Sequence, residues 1–296
     1  MLSYTNCELC PRACGVDRAA GELGFCQMPG RARAAAALLH YGEEPAIASV
    51  GGAGAVFFSG CTLRCAYCQN YAVSAEGLGF PVNSERLREI FLKLIDDGAD
   101  CIDLVTPTHF LPDILPALAP KLPVPVVYNC GGYESLETIR ALDGFVDVYL
   151  PDFKYSDAAL AKRLSAAPDY PEAAEAAIRE MQKQVGAPVF EGDQLTRGVL
   201  IRHLVLPGCV GNSLGVLDRL SAAFRPGEVL VSLMSQYTPM GALAKTPPFD
   251  RAVTEEEYAA VLSWAQLLGL RDGFRQDASA AGREYVPKFD GTGIFP

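Results

Sequence analysis

The 296-residue chain holds ten cysteines, and seven of them fall into two tight groups: Cys7, Cys10, Cys14 and Cys26, then Cys61, Cys65 and Cys68. Thiolates are soft donors that select zinc, copper(I) or iron–sulfur centres. The second group has the spacing C-x3-C-x2-C. Its three thiols are too close for separate sites, but they can ligate three irons of one cubane. A cluster that only transfers electrons wants four cysteines, so three leave one iron open to a substrate or cofactor. The competing arrangement is a structural zinc site that borrows a fourth ligand, although C-x2-C hooks for zinc normally come in pairs. The first group, C-x2-C-x3-C-x11-C, has four thiols of its own and can close a second metal site. Its spacing suits zinc and also iron or an iron–sulfur cluster. Gly15, Gly21 and Gly24 stand between these ligands, as tight turns around a metal require. Of the solitary cysteines, Cys101 begins an apolar run and reads as core. Cys130 and Cys209 each follow a strand end, where a thiol of low pKa can donate hydrogen or bind substrate.

The elements that must position these groups alternate from about residue 55 onward. Strands are expected at Ala55–Ser59, Cys101–Val105, Val124–Tyr128, Val146–Leu150, Gly198–Leu206 and Val229–Leu233. Helices are expected at Ser84–Ile95 with Ser84 as N-cap, Leu111–Leu118, Ser135–Leu142, Ser213–Phe224 and Thr254–Leu268. Six strands alternating with helices predict right-handed βαβ units and a parallel sheet, an α/β fold in the form of a partial (β/α)6 barrel open on one side. Residues 1–50 form an irregular cysteine-rich segment in which 32–39 could be strand or helix. The barrel spans 51–270 with a charged helical insertion at about 156–197, and 271–296 is a C-terminal tail. The C-terminal ends of barrel strands converge on one mouth. There stand Thr106 and Thr108, Asn129, Asp152 and Lys154, and Arg202 and His203. Strand alternation puts Arg202 and His203 on opposite faces, so one of the two points inward.

Half the residues are apolar and a fifth are charged, the mixture of a soluble globular protein. The net charge of −10 argues against a broad nucleic-acid face. No basic n-region precedes an apolar h-region, and no apolar run reaches membrane-spanning length. A cytoplasmic protein that binds neither membrane nor nucleic acid is expected, and a reducing compartment directs clustered thiols to metal rather than disulfides.

The segment Phe57-Phe-Ser-Gly-Cys-Thr-Leu-Arg-Cys-Ala-Tyr-Cys-Gln-Asn-Tyr71 resembles the signature of the radical S-adenosylmethionine (SAM) superfamily, with an aromatic residue, Tyr67, before the third cysteine. The preceding strand and the pair Gln69-Asn70 narrow the resemblance to the branch related to pyruvate formate-lyase activating enzymes. Leu104-Val-Thr-Pro-Thr-His109, Val127-Tyr-Asn-Cys-Gly-Gly-Tyr133, Asp147-Val-Tyr-Leu-Pro-Asp-Phe-Lys-Tyr155 and Ile201-Arg-His-Leu-Val-Leu-Pro-Gly208 look like that branch's later strand-end motifs. The likeness covers nearly the whole chain. It is nearest to activating-enzyme homologues that also carry the N-terminal four-cysteine set.

The resemblance implies a [4Fe–4S] cluster on Cys61, Cys65 and Cys68 and SAM on its open iron. It implies cofactor contacts from Tyr67, Gln69, Asn70 and the strand-end residues above. Lys154 stands where relatives place a lysine that pairs with the SAM carboxylate. Thr106-Pro-Thr108 replaces a Gly-Gly-Glu that receives the SAM amino group, so threonine hydroxyls and backbone carbonyls would have to serve. Also implied are an electron donor such as flavodoxin or ferredoxin and, for an activating enzyme, a protein substrate in which a glycyl radical is installed. The alternatives are radical modification of a small molecule or peptide, and a non-catalytic iron–sulfur or zinc scaffold.

Overall fold

The computed structural model describes residues 2–270, 272–275 and 287–295. Its strands are β1 Arg33–His40, β2 Ala53–Phe58, β3 Phe80–Pro81, β4 Cys101–Val105, β5 Val126–Cys130, β6 Val148–Pro151, β7 Val189–Glu191, β8 Gln194–Leu204, β9 Leu230–Met234 and β10 Gly273–Arg275. Its helices are α1 Tyr71–Ser74, α2 Ser84–Asp96, α3 Leu111–Ala117, α4 Leu136–Arg140, α5 Ala158–Ser165, α6 Tyr170–Val185, α7 Val210–Ala223 and α8 Glu255–Leu267. The sheet order is β10-β9-β8-β6-β5-β4-β2-β1-β3, with β7 paired to β8. β2, β4, β5, β6, β8 and β9 run parallel in sequence order, and β10 adds a short parallel neighbour to β9. These six are the expected strands. The sheet does not close, and β1 and β3 extend it antiparallel beyond β2.

Alternation along each strand sorts side chains to two faces. Ile102, Leu104, Val126, Tyr128, Val199 and Ile201 pack in the large core shared with the helices. Cys101, Val127, Val148, Leu150, Leu200 and Leu230 face the concave side, where Ala46 and Ile47 pack against them. The loop after β1 thus plugs the N-terminal end of the sheet, anchored by the Leu195 amide donating to the Ala46 carbonyl at 2.8 Å. Cys101 is buried there, as an apolar core residue.

Local signals place most helix starts. Ser135 caps α4, and Thr254 with Glu257 forms a capping box on α8. α2 departs by one residue: its N-cap is Asn83, whose side chain accepts from the Arg86 amide, and Ser84 is already helical. Asparagine and serine cap about equally well, so the earlier of the two adjacent candidates takes the role. α7 begins three residues before Ser213. The alanine-rich stretch is strand β1, and its small side chains admit a covering segment. The Ala37 amide donates to the Thr292 carbonyl at 2.8 Å, and a Cβ on Gly293 would lie 2.0 Å from the Ala37 carbonyl oxygen. Residues 271, 276–286 and 296 of the tail lie outside the described residues. In 156–197, α5 and α6 occupy the crossover between β6 and β8, and the β7 hairpin follows them.

Candidate active site

The C-terminal ends of the parallel strands open into a cavity of about 530 Å³. Cys61, Cys65 and Cys68 line it on one side, on the loop between β2 and α1. Tyr67, Gln69 and Asn70 line it beside them, and Thr106, Asn129, Asp152, Lys154 and Arg202 line the strand-end side. One concavity therefore gathers most of the residues expected at the mouth.

Hydrogen-bond donors are aimed at the sulfurs. The Leu63 amide points at Cys61 Sγ at 3.3 Å, and the Ser165 hydroxyl donates to Cys65 Sγ at 3.0 Å. Burial, with Cys65 and Cys68 adding to it, pushes the Cys61 thiol up to about 12, and burial likewise raises Cys68. Such thiols ionise only when a cation replaces the proton. One buried and two half-buried thiols, with donors aimed at Cys61 and Cys65, are a donor set suited to an iron–sulfur centre. Tyr67 is buried, its hydroxyl accepting from Tyr155 at 2.9 Å.

Opposite the cysteines a charged network holds the strand ends together. Lys154 Nζ pairs with Asp152 at 2.5 Å, and Arg202 donates to Asp152 at 3.1 Å, to Glu43 at 3.2 Å and to the Asn129 side-chain oxygen Oδ1 at 2.6 Å. Burial would raise the Asp152 carboxyl, but Lys154 and Arg202 outweigh it and hold the group below its ordinary range. Asp152 thus orients both cations. Asn129 Nδ2 donates to Asp103 at 3.2 Å. Asp103 is fully buried, and its second oxygen has no hydrogen-bond partner among the described residues. Burial, with Glu43 nearby, pushes its carboxyl up, and burial does the same to Glu44, which accepts from Ser232 at 2.8 Å.

Arg202 is the inward member of its pair. His203 faces the helices, fully buried, with its ring nitrogens 2.7 Å from the Phe153 carbonyl and 2.8 Å from Ser213 Oγ. Burial lowers its pKa to about 4, so it is a neutral bridge between strand and helix. Thr106 and Thr108 separate as well. Thr106 lines the cavity in a left-handed conformation, φ +60°, unusual for a β-branched residue and a sign of local constraint. That turn sends Thr108 away from the cavity, into hydrogen bonds with Glu134 and Tyr128. Cys130 borders the cavity, but its thiol is engaged with Glu134 and raised by burial. Cys209 caps α7 outside the lining, half-buried near Arg163 and Glu257.

Glu43, Glu44 and Asp103 escaped the sequence reading. Asp103 carried a signal, a carboxylate in the middle of an apolar strand. Gly42-Glu-Glu-Pro45 carried none, because only the course of the plugging loop brings it into the concavity.

The segment carrying the N-terminal cysteines lies beside the Cys61–Cys68 loop, where Arg12 donates to the Thr62 carbonyl at 3.0 Å. Cys7 and Cys26 are buried, Cys10 is partly covered and Cys14 is exposed. Gly24 packs so close that a Cβ there would meet Cys14 Sγ at 3.0 Å. The guanidinium of Arg18, 1 % exposed, reaches Cys7 Sγ at 3.7 Å and donates to the carbonyls of Met28, Pro29 and His109. Burial pushes the Cys26 thiol up, and the Arg18 guanidinium offsets only part of that rise. Among the described residues, no three His, Cys, Asp or Glu side chains converge tightly enough to hold one metal ion. No described helix is long and apolar enough to cross a membrane.

With this geometry established, comparison with known proteins bears on the fold. The structure of Streptococcus suis SuiB bound to S-adenosylmethionine superposes with a TM-score of 0.51 at 11% identity, over 74% of this chain and 48% of SuiB. The two chains share a fold. This chain spans about half the length of SuiB. Methylornithine synthase (PylB) aligns over 73% of this chain and 68% of its own, with a TM-score of 0.49 and 13% identity. In sequence, uncharacterized protein MJ0674 of Methanocaldococcus jannaschii is 29% identical over 280 residues, 90% of this chain and 76% of the relative. No protein-family model matches the chain.

Proposed function

We propose that the protein is a radical SAM enzyme of the activating-enzyme-like branch, with a [4Fe–4S] cluster on Cys61, Cys65 and Cys68. The observation that carries this reading is the cavity itself: three cysteines on one wall, and Lys154, Asn129 and Arg202 on the other. The fold shared with a protein solved with SAM supports the same ligand here. A cubane gives each thiolate its own iron, so its ligands stand farther apart than sulfurs held roughly 2.3 Å from one zinc ion. When bound, the cluster would supply the electron that cleaves SAM to methionine and a hydrogen-abstracting 5′-deoxyadenosyl radical.

The chain's own tasks are to orient and to exclude. Lys154 would pair with the SAM carboxylate, its ammonium directed by Asp152, which Arg202 holds in turn. Thr106, with its constrained backbone, would receive the amino group. The plug of Ala46 and Ile47 closes the cavity from below, which keeps water from a reactive intermediate. The substrate in this reading is a glycine of a partner protein, made into a glycyl radical, with electrons from flavodoxin or ferredoxin. Glu43 and Glu44 favour a second reading, a small molecule or free peptide bearing an amino or guanidino group.

Anaerobically reconstituted protein is expected to show a [4Fe–4S] EPR signal that changes on adding SAM, and dithionite is expected to release 5′-deoxyadenosine. A protein that yields none is a scaffold, and the enzyme reading ends there.

The set Cys7, Cys10, Cys14 and Cys26, with Arg18 as counter-charge, is part of the proposal as a second metal site. A protein with Cys61, Cys65 and Cys68 all changed to alanine is expected to retain zinc, or iron with sulfide, by metal analysis. Finding neither removes the second site.

A further inference from the structure

We propose that Ser165, held in place by Arg12, is a positioning residue whose O–H···S bond to Cys65 raises the reduction potential of the cluster on the catalytic loop. The inference rests on the radical SAM reading and deepens it.

Ser165 is the last residue of α5 and is 3 % exposed, on the same buried side as Ala161 and Leu164. An apolar residue would fill this position. Instead its hydroxyl donates to Cys65 Sγ at 3.0 Å, a hundred residues away in sequence. The Tyr155 hydroxyl, fully buried, lies 2.7 Å from Ser165 Oγ and 2.9 Å from that of Tyr67, which lines the cavity. The serine hydroxyl therefore lies between Cys65 Sγ and the Tyr155 hydroxyl, within hydrogen-bond distance of both.

A reduced cluster carries one more electron than the oxidised one, spread over its sulfurs. A fixed O–H dipole directed at a sulfur stabilises the more negative state more. Hydrogen bonds to sulfur are among the factors that set cluster potentials, and their weight grows where the surroundings are buried. The sign follows: this bond makes the cluster easier to reduce.

Arg12 supplies the rigidity. It lies between Cys10 and Cys14, yet its guanidinium donates to the Thr62 carbonyl at 3.0 Å, to the Ser165 carbonyl at 2.6 Å and to the Ala166 carbonyl. Its plane lies 3.7 Å from the centre of the Phe25 ring. Ala166, at φ +50°, ends α5 in a left-handed turn. One side chain thus ties the N-terminal cysteine segment to the cysteine loop and to the end of the helix that carries Ser165. A planar fork of donors suits three carbonyls better than a point charge.

The test uses the full-length, anaerobically reconstituted protein and its Ser165→Ala, Ser165→Thr, Tyr155→Phe and Arg12→Met variants. The midpoint potential is read by dye-mediated titration with EPR detection, and cluster content by iron and sulfide analysis. At full cluster content, Ser165→Ala is expected to titrate at a more negative potential, and Ser165→Thr, which keeps the hydroxyl, to return toward wild type. Tyr155→Phe and Arg12→Met are expected to shift the same way by less. If Ser165→Ala assembles no cluster, Tyr155→Phe decides in its place. A wild-type potential in Ser165→Ala, or a threonine variant as low as the alanine one, overturns the role of Ser165. A wild-type potential in Arg12→Met overturns that of Arg12. Failure of the unmodified protein to bind a [4Fe–4S] cluster is a different result: it overturns the functional reading itself.

Discussion

Changing any one of Cys61, Cys65 or Cys68 to alanine is expected to abolish reductive SAM cleavage while the protein stays folded. Each thiolate would hold a different iron, so no neighbour can substitute for a missing one. Cys130 is buried, its thiol engaged with Glu134, and Cys209 lies outside the cavity lining. The three cysteines sit on a loop, and none belongs to a strand or helix. Each change removes one sulfur from a wall that opens on the cavity, so the cost to stability should be on the order of 1 kcal/mol, at the low end for buried truncations. The checks are 5′-deoxyadenosine by chromatography and thermal unfolding of the same preparation. Wild-type cleavage by any of the three folded variants would refute the assignment of the cluster.

Lys154→Met is expected to leave the cluster intact and to weaken SAM binding by about tenfold to a hundredfold. The range corresponds to the roughly 1.5–3 kcal/mol of a charge-assisted hydrogen bond. The fold should tolerate the change. Asp152 keeps its bond to Arg202 at 3.1 Å, so no carboxylate is left buried alone. Methionine also preserves the stem, whose Cε lies 3.7 Å from where a Cβ on Gly131 would stand. Asp152 adds to the loss, because without the ammonium its charge faces the incoming carboxylate. Lys154→Arg should recover only part of the affinity, since the planar guanidinium is bulkier than the compact charge it replaces. Calorimetry showing unchanged SAM affinity in Lys154→Met would leave the lysine as a partner of Asp152 and nothing more.

Much of this site was legible in the linear sequence because its determinants are local. The C-x3-C-x2-C spacing puts three thiols on one loop whatever the fold does. The six apolar runs with helices between them leave a parallel sheet as the compact solution, and that rule places Asn129, Asp152 and Arg202 at one mouth. Ser135 and Thr254 cap their helices through bonds spanning three residues. Strand alternation also dictated that Arg202 and His203 part company.

Tertiary structure alone decided which of the two turned inward, because the choice depends on which partner lies on each side. Arg202 finds Asp152 and Glu43, and His203 finds the Phe153 carbonyl and Ser213. Thr108 left the cavity because the left-handed turn at Thr106 breaks the alternation that would have kept it there. Glu43 and Glu44 entered because the loop carrying them crosses the concave face, and nothing in four loop residues records that path. Arg12 and Ser165 meet across 153 residues of sequence. Residue types and short spacings determined the chemistry this chain can hold. The course of the backbone decided which side chains share the cavity with it, because contacts between distant segments exist only once the sheet and its plug have packed.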